Sequence, residues 1–596
     1  MKKTLIYAGS LLLAAAIVAG GVHAKNRNTD ISRNILIFND VYKTLMNNYV
    51  DTLDATETMR TAIDAMLGNV DPYTEFYSEE ESDKLTSISS GEYAGIGSVI
   101  QKQDTVIVLS EPRWDSPAMR GGVRHGDILL MIDDTVIDKD FPIDEASKRL
   151  KGKAGTKLRL KVRRPYLPQG TDSIFDLEIT RGTITTDAIP YYGFVADGIG
   201  YIGVSTFSEK TGKDFQNALA ALRKQNGDKD LKGLIVDMRN NGGGLLTAAV
   251  DLVSNFVPRG TEVVSMKGRT RSNTSTYKTT RNPSAKSLPL VVLINGNTAS
   301  SAEIFTGALQ DLDRAVVIGE RSYGKGLVQT PGSMPYNSSI KVTTGRYYLP
   351  SGRLIQAIDY RHRNADGSVE RIPDSLTTAY QTKIGREVRD GGGITPDIAI
   401  ESEEPSLLEY GLVTGQWVYN FATKVANNTA TIPDVETWQV TDSLYDQFKK
   451  FIDPTKLKYD RPTASAMDYV RRVAKAEGYE SDSTVTAAIA DLEKLMTRDL
   501  DKDLDHHRKA ISEQIDIELE SRWFSPADMT RRALRDDAAT EDAIKVLNDT
   551  TLYRHLLSAG TKVGGDPKAK KQDAPDKSGT SDNKNPSDRD GTAQTK

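Results

Sequence analysis

The chain is 596 residues long, 38% apolar and 27% charged, which is material for roughly three or four domains with cores of their own. A formal charge of -5, with basic residues spread along the length, offers no concentrated footprint for nucleic acid, and that partner class is set aside. Cysteine is absent, which excludes disulfides, thiol nucleophiles and sulfur-ligated zinc. At the N-terminus Lys2 and Lys3 precede an apolar stretch from Leu5 to Val22, and Val22, His23 and Ala24 close it in a small-x-small pattern. Residues 1–24 therefore read as a secretory signal, cleaved after Ala24 or retained as an anchor. Both readings place the bulk of the chain in the periplasm or cell envelope.

The remaining organisation is multidomain and α/β. Residues 27–90 form an N-terminal helical region: Ile35, Phe38, Val41, Tyr42 and Leu45 fall at helical spacing, and a second segment with Met59, Ala62 and Met66 stops at Gly68. Packing or oligomerisation is its expected role. Residues 91–182 switch to short alternating strands at Val106–Leu109, Ile128–Ile132, Leu158–Val162 and Phe175–Ile179. Two short helices interrupt them, one started by Ser116 and Pro117 and stopped by Gly121, the other near Asp144–Lys151. Residues 183–400 alternate strand and helix: Ile199–Phe207, Lys210–Lys224, Leu234–Asp237, Leu245–Phe256, Leu290–Ile294, a helix from Ser300, then Ala315–Gly319. Residues 401–560 are a helical extension, with patterns at Ser406–Asn427, Ala464–Ala476 and Val485–Phe524, expected to pack over the core. The tail 564–596 has too few apolar residues to fold and is expected to be disordered.

The chemistry concentrates in residues 288–330, where a serine cluster precedes a turn that presents Lys325 between Gly324 and Gly326. Such loops, beyond the carboxyl ends of buried strands, are where α/β folds place active sites. A serine hydroxyl needs a base. Of six histidines His362 alone falls in the α/β core, and each reads better as a surface residue than as a base. Lys325 is the stronger candidate, since a Ser–Lys pair can do the same work. An amine of ordinary pKa is neutral in about one molecule in 2,500 at pH 7, so burial must lower it, at about 4 kcal/mol of differential interaction for a thousandfold gain. Gln329 can orient the amine. Acyl transfer also needs N–H donors for the oxyanion. The turn Asp237–Gly244, DMRNNGGG, ends a buried strand with three glycines, and one of its N–H groups with that of Ser301 would form the hole, Gly243 being preferred.

Three motifs in order, RxNxGG at Arg239–Gly244, TASSAEIFTGALQD and GERSYGKGLVQ, together with VDPYTEFY and GREVRDGGGITPD, resemble the carboxy-terminal-processing (tail-specific) proteases over residues 35–400. The resemblance implies a serine endopeptidase with Ser300 as nucleophile, Lys325 as general base 25 residues later and Gln329 as the residue supporting the lysine, while Asp311 matches an acidic position read as structural. Family members commonly read Ser-Ala-Ser where this chain has Ser300, Ser301 and Ala302, which leaves Ser301 as a rival nucleophile; Gly242 stands where proline is common. The segment SPAMRGGVRHGDILLMIDDTVI resembles the centre of a PDZ domain. That family captures a peptide C-terminus as an added strand, with its carboxylate held by a glycine-containing loop, here Tyr93, Ala94, Gly95, Ile96 and Gly97. The implied partners are proteins with exposed C-termini; membrane association through the N-terminus and a homo-oligomer are also open. No cofactor and no metal are expected.

Several rival readings attach to the same residues. GERSYGKG nearly satisfies the phosphate-binding P-loop, but Gly326 replaces its Ser/Thr and Pro and Gly follow where a helix must begin. Ser275–Lys278 fits SxxK by two letters in what reads as a polar loop. Asp499, Asp501 and Asp503 start like an EF-hand without its glycine or final glutamate, and read as a solvated helix face. A PDZ scaffold that binds C-termini without cleaving them is the second function class.

Overall fold

The structure, a computed structural model, describes residues 28–81, 91–168, 173–360, 362–364, 367–401, 404–459, 462–496 and 499–564. The signal segment and the tail read from the sequence lie outside the described residues, apart from Gly564. Among the described residues no helix is long and apolar enough to cross a membrane.

The fold divides into two units. The first combines residues 1–82 with 329–343. Its helices span 28–48 and Ala55–Gly68; Asp54 caps the second by accepting from the Glu57 N–H, and the Tyr42 hydroxyl donates to the Ala55 carbonyl. The turn at Asp71 is held by its own carboxylate, which accepts from the N–H groups of Tyr73 and Thr74, both at 2.8 Å. Strand Glu75–Tyr77 then pairs antiparallel with Ser339–Lys341.

The second unit contains the PDZ-like β region, the α/β core and the helical extension. Strands Ser98–Gln103, Val106–Pro112, Asp127–Ile132, Lys157–Arg164 and Ser173–Thr180 form one antiparallel sheet in that order, and helix Pro117–Arg120 has the expected Ser116 cap and Gly121 stop. Leu158, Leu160 and Val162 point into its core while their neighbours face outward, the period-two pattern of a strand with one wet face.

The α/β core is a six-stranded sheet. Its strands, in spatial order, are β1 (Tyr191–Ala196), β2 (Ile199–Gly203), β3 (Gly233–Asp237), β4 (Leu290–Ile294), β5 (Val316–Gly319) and β6 (Ile398–Ala399). Strands β2 to β6 run parallel, and β1 is antiparallel at the edge. Every residue of β2 to β5 is buried, as parallel strands covered on both faces require. Helices α1 (Thr211–Gln225), α2 (Leu246–Val253) and α3 (Ser301–Asp311) cover one face, against Leu234, Val236, Leu290 and Val292. The alternate residues Tyr201, Ile235, Val291 and Leu293 face the other way and meet Ala539, Ala543, Val546 and Leu547. Those four belong to helix Ala538–Asn548, so the extension supplies the second layer of the core. Its helices include α4 (Trp417–Asn428), α5 (Arg508–Trp523), α6 (Ala538–Asn548) and α7 (Thr550–Leu556).

Three expectations need correction. Residues 275–278 are a strand paired with Glu262–Gly268, not a polar loop, because alternation is masked there by polar side chains on both faces of an edge. The pattern Ser406–Asn427 is two helices, broken where Gly415 ends the first and Gln416 adopts a left-handed φ of 59°. Val485–Phe524 is likewise split, by Asp499 capping a new helix and by a break at His507.

Candidate active site

Three turns meet at the carboxyl ends of β3, β4 and β5, where open α/β sheets present their working loops. The first, Arg239–Leu245, follows β3; the second, Asn295–Ser300, joins β4 to α3; the third, Glu320–Gly326, follows β5. An asparagine network fastens the first two. Asn240 Oδ1 accepts from Asn295 Nδ2 at 2.9 Å and from Asn297 Nδ2 at 3.0 Å, while Asn295 Oδ1 accepts from the Asn240 N–H at 2.9 Å.

Ser300 stands immediately before α3 with φ 58° and ψ -117°. A side chain in that region stores roughly 1–3 kcal/mol of strain, which persists only if neighbours fix it, and such residues cluster at functional sites. Glu303, one turn into α3 and fully buried, supplies the fixing. Its Oε2 accepts from the Ser300 N–H at 2.8 Å and from the Lys325 N–H at 2.9 Å; its Oε1 accepts from Ser322 Oγ at 2.5 Å and from the Gly324 N–H at 2.7 Å. Burial pushes the Glu303 carboxyl up from 4.5 to about 7, against those four donors, which pull it down. On the carbonyl side the Tyr347 hydroxyl donates to Ser300 at 3.2 Å and also to Lys325. The backbones of Ser300 and Lys325 thus share one acceptor and one donor, although 25 residues separate them. Both side chains are half-buried.

Gly243 lies against the serine: a Cβ there would stand 2.8 Å from Ser300 Cβ and 3.0 Å from the Ser301 nitrogen, so no larger residue fits. Its φ of 104° also demands glycine. Its N–H donates to Asn241 Oδ1 at 2.8 Å. Ser301, almost wholly buried, directs its hydroxyl to the Gly244 carbonyl at 2.8 Å. Gln329 belongs to the first unit, where its amide donates to Thr343 Oγ1 at 3.1 Å. Asp311 forms a fully buried ion pair with Arg353 at 2.8 Å.

His362 is exposed beside Asp359, His507 meets Glu409, and burial beside Arg522 takes His125 down to about 3. The glycine-lysine turn leads from β5 into strand Leu327–Ser333, so the helix N-terminus of a phosphate loop is replaced by a strand. Tyr93–Gly95 of the anticipated carboxylate loop lie in a short strand paired with Gly182–Ile184, leaving Ile96 and Gly97 as the turn itself; Gly97 has φ 76° and packs against Ile184 and Ser116.

Among known proteins, the carboxy-terminal-processing protease of Bartonella bacilliformis is 33% identical over 359 residues, which is 60% of this chain and 81% of that protein. The chain belongs to the carboxy-terminal-processing proteases. Family models agree: peptidase family S41 matches residues 198–361, a PDZ domain 109–164, and the C-terminal helical domain of a probable PDZ-protease 408–547. A probable CtpA-like serine protease of Staphylococcus haemolyticus is 32% identical over 53% of this chain and 61% of its own length. Among solved structures, the photosystem II D1 C-terminal processing protease is 25% identical and covers 63% of this chain and 94% of its own, with a TM-score of 0.34. This carboxy-terminal-processing protease is accordingly a serine peptidase with a PDZ domain, an S41 core and a C-terminal helical domain. Sequence reading missed Glu303. The signal was present, a glutamate three residues after the serine at a helix start, the pattern of a capping box.

Proposed function

We propose that this protease cleaves proteins near their C-termini with a Ser300–Lys325 dyad, after its PDZ domain has captured the substrate tail. One observation carries the reading: Glu303 Oε2 and the Tyr347 hydroxyl each bond both residues' backbones, which holds the two chain segments side by side. The strained serine, with a positive φ, projects its hydroxyl from the start of α3, and the lysine amine takes its proton as the hydroxyl attacks the scissile carbonyl. The same amine then returns the proton to the leaving nitrogen. The family resemblance gives Gln329 the role of supporting the lysine. The N–H groups of Gly243 and Ser301 receive the oxyanion; the Gly243 N–H exchanges its bond to Asn241 for the substrate oxygen as the carbonyl arrives. Ser301 is the weaker nucleophile candidate, because its hydroxyl is buried and committed to Gly244.

The PDZ domain takes the tail as a strand added to Ser98–Gln103, an edge of its sheet, with the terminal carboxylate at the Tyr93–Gly97 turn. The signal-like N-terminus supports export to the periplasm or cell envelope.

The test is incubation of wild type, Ser300→Ala, Ser301→Ala and Lys325→Ala with an unstructured protein ending in an apolar tail. Cleavage by wild type and Ser301→Ala alone is expected, and blocking the tail's carboxylate should raise KM. Equal cleavage by all four proteins would sink the dyad, and tail binding without any cleavage would favour a scaffold.

A further inference from the structure

We infer that Asp537, from the helical extension, is a positioning residue for the oxyanion turn, acting through its ion pair with Arg239. This rests on the reading of Gly243 as an oxyanion donor. Arg239 lies two residues after Asp237, the end of β3, and opens the turn that carries Asn240, Asn241 and Gly243. Its guanidinium is shared between two carboxylates. Nε and Nη2 contact Asp237 Oδ2 at 3.0 and 2.7 Å, and Nη1 reaches Asp537 Oδ1 at 2.8 Å. Asp237 is itself steadied by the Tyr201 hydroxyl at 2.8 Å and by the Arg239 N–H at 2.8 Å.

The two oxygens of Asp537 do different jobs. Oδ2 caps α6, accepting from the Thr540 N–H at 3.0 Å and from the Thr540 hydroxyl. Serine or asparagine would cap as well, so the cap does not account for a charge here. Oδ1 goes to Arg239, and the pair is largely shielded, with side-chain exposures of 23% and 21%. Charge pairing of this kind is stronger than an exposed bridge and geometrically specific. It also lies on the wall of a cavity of about 520 Å³ at the strand ends, lined by Arg239, Asn240, Asn295 and Glu320 on the core side and by Leu534 and Ala538 on the extension. Beside that space the Asn240–Asn295–Asn297 network ties the turn to the core, and the ion pair ties it to the extension. Because α6 is fixed against the sheet by Ala539, Ala543, Val546 and Leu547, Asp537 hands the rigidity of the core's second layer to the turn. Against the desolvation of burial, Asp237 first and then Asp537 raise Arg239 in pKa, and Arg239 lowers Asp537.

The experiment uses the full-length protein and compares wild type with Asp537→Asn, Asp537→Ser and Asp537→Glu, both substitutes Asn and Ser keeping the cap. Steady-state kcat and KM are measured on the tailed substrate, with active sites counted by fluorophosphonate labelling of Ser300, and melting is followed in parallel. We expect kcat per labelled site to fall about tenfold in the Asn and Ser variants, with KM unchanged and partial recovery in Glu. An unchanged kcat per site, or a change confined to KM or to melting temperature, overturns the proposal. If one variant does not fold, the other decides. Absence of Ser300-dependent cleavage in wild type would overturn the underlying dyad reading instead, so the two failures are distinct.

Discussion

At Glu303 a single carboxylate does the work of a small scaffold. It accepts from four donors on two chain segments, and its ionised form matches all four, whereas a protonated carboxyl must turn one bond around. Its pKa is raised to about 7, so the protonated state is favoured by the fold. The sign follows: stability from this group is complete below the ordinary 4.5 and is lost as pH rises through about 7, while the catalytic arrangement improves over the same interval. Activity is therefore expected to fall on acidification, from Glu303 and from protonation of the Lys325 amine together. A kcat profile flat down to pH 5 would contradict a lysine base. Glu303→Gln presents an amide NH₂ to backbone donors, and misplacement of the reacting groups of order 1 Å costs about 10²-fold. That loss in kcat at pH 8, with the decline of stability between pH 4.5 and about 7 flattened, is the expected result. Glu303 was within reach of sequence reasoning only as a helix cap, because its second set of partners, Ser322, Gly324 and Lys325, arrives through tertiary packing.

Among the elements, β4 was legible to the residue, since five consecutive branched or apolar residues between a proline and an Asn-Gly turn admit little else. The helix after Ser300 was legible in position but not in environment. An apolar stripe of Ile304, Ala308 and Leu309 suggests one buried face, yet every residue of α3 is buried, including Thr306, Gln310 and Asp311. Thr306 donates back to the Ala302 carbonyl, while Asp311 and Gln310 meet distant partners, Arg353 and the Thr395 carbonyl, that no periodicity announces. Helix α6 falls within the extension expected to pack over the core but was not singled out: Ala539 and Ala543 are too small to draw attention, and their close packing against the sheet is what makes them fit. Leu547 sits against Gly233, where even a Cβ would come within 2.8 Å. Leu547→Ala should destabilise by about 2–4 kcal/mol in denaturant melts. A change below 0.5 kcal/mol would mean that α6 is not an obligatory layer.

The second unit as a whole is tied together by its helical extension. Helix α4 meets the PDZ sheet through Tyr419, whose hydroxyl donates to the Ser110 carbonyl at 3.0 Å, and through Asn427, whose amide donates to the Pro165 carbonyl at 2.9 Å. Gly126 touches the same helix: its φ is 87°, and a Cβ would stand 2.6 Å from Thr423 Cγ2. Gly126→Ala should loosen this junction by roughly 1–3 kcal/mol. Faster hydrogen exchange in Val106–Pro112 and Trp417–Asn428, with the core strands unchanged, is the expected signature. At the core end α6 covers the sheet and Asp537 meets Arg239, so one extension touches both the PDZ domain and the protease core. Sequence alone placed these regions in order but gave no sign of that double contact, because it depends on surfaces more than 100 residues apart. The central claim remains the partnership of Ser300 and Lys325. Its most direct test is the rate of fluorophosphonate labelling, read by peptide mass mapping, in wild type and Lys325→Ala. Modification of Ser300 alone, slowed at least a hundredfold by the lysine substitution while melting is unchanged, is the predicted result; labelling at Ser301, or an equal rate in both proteins, would contradict it.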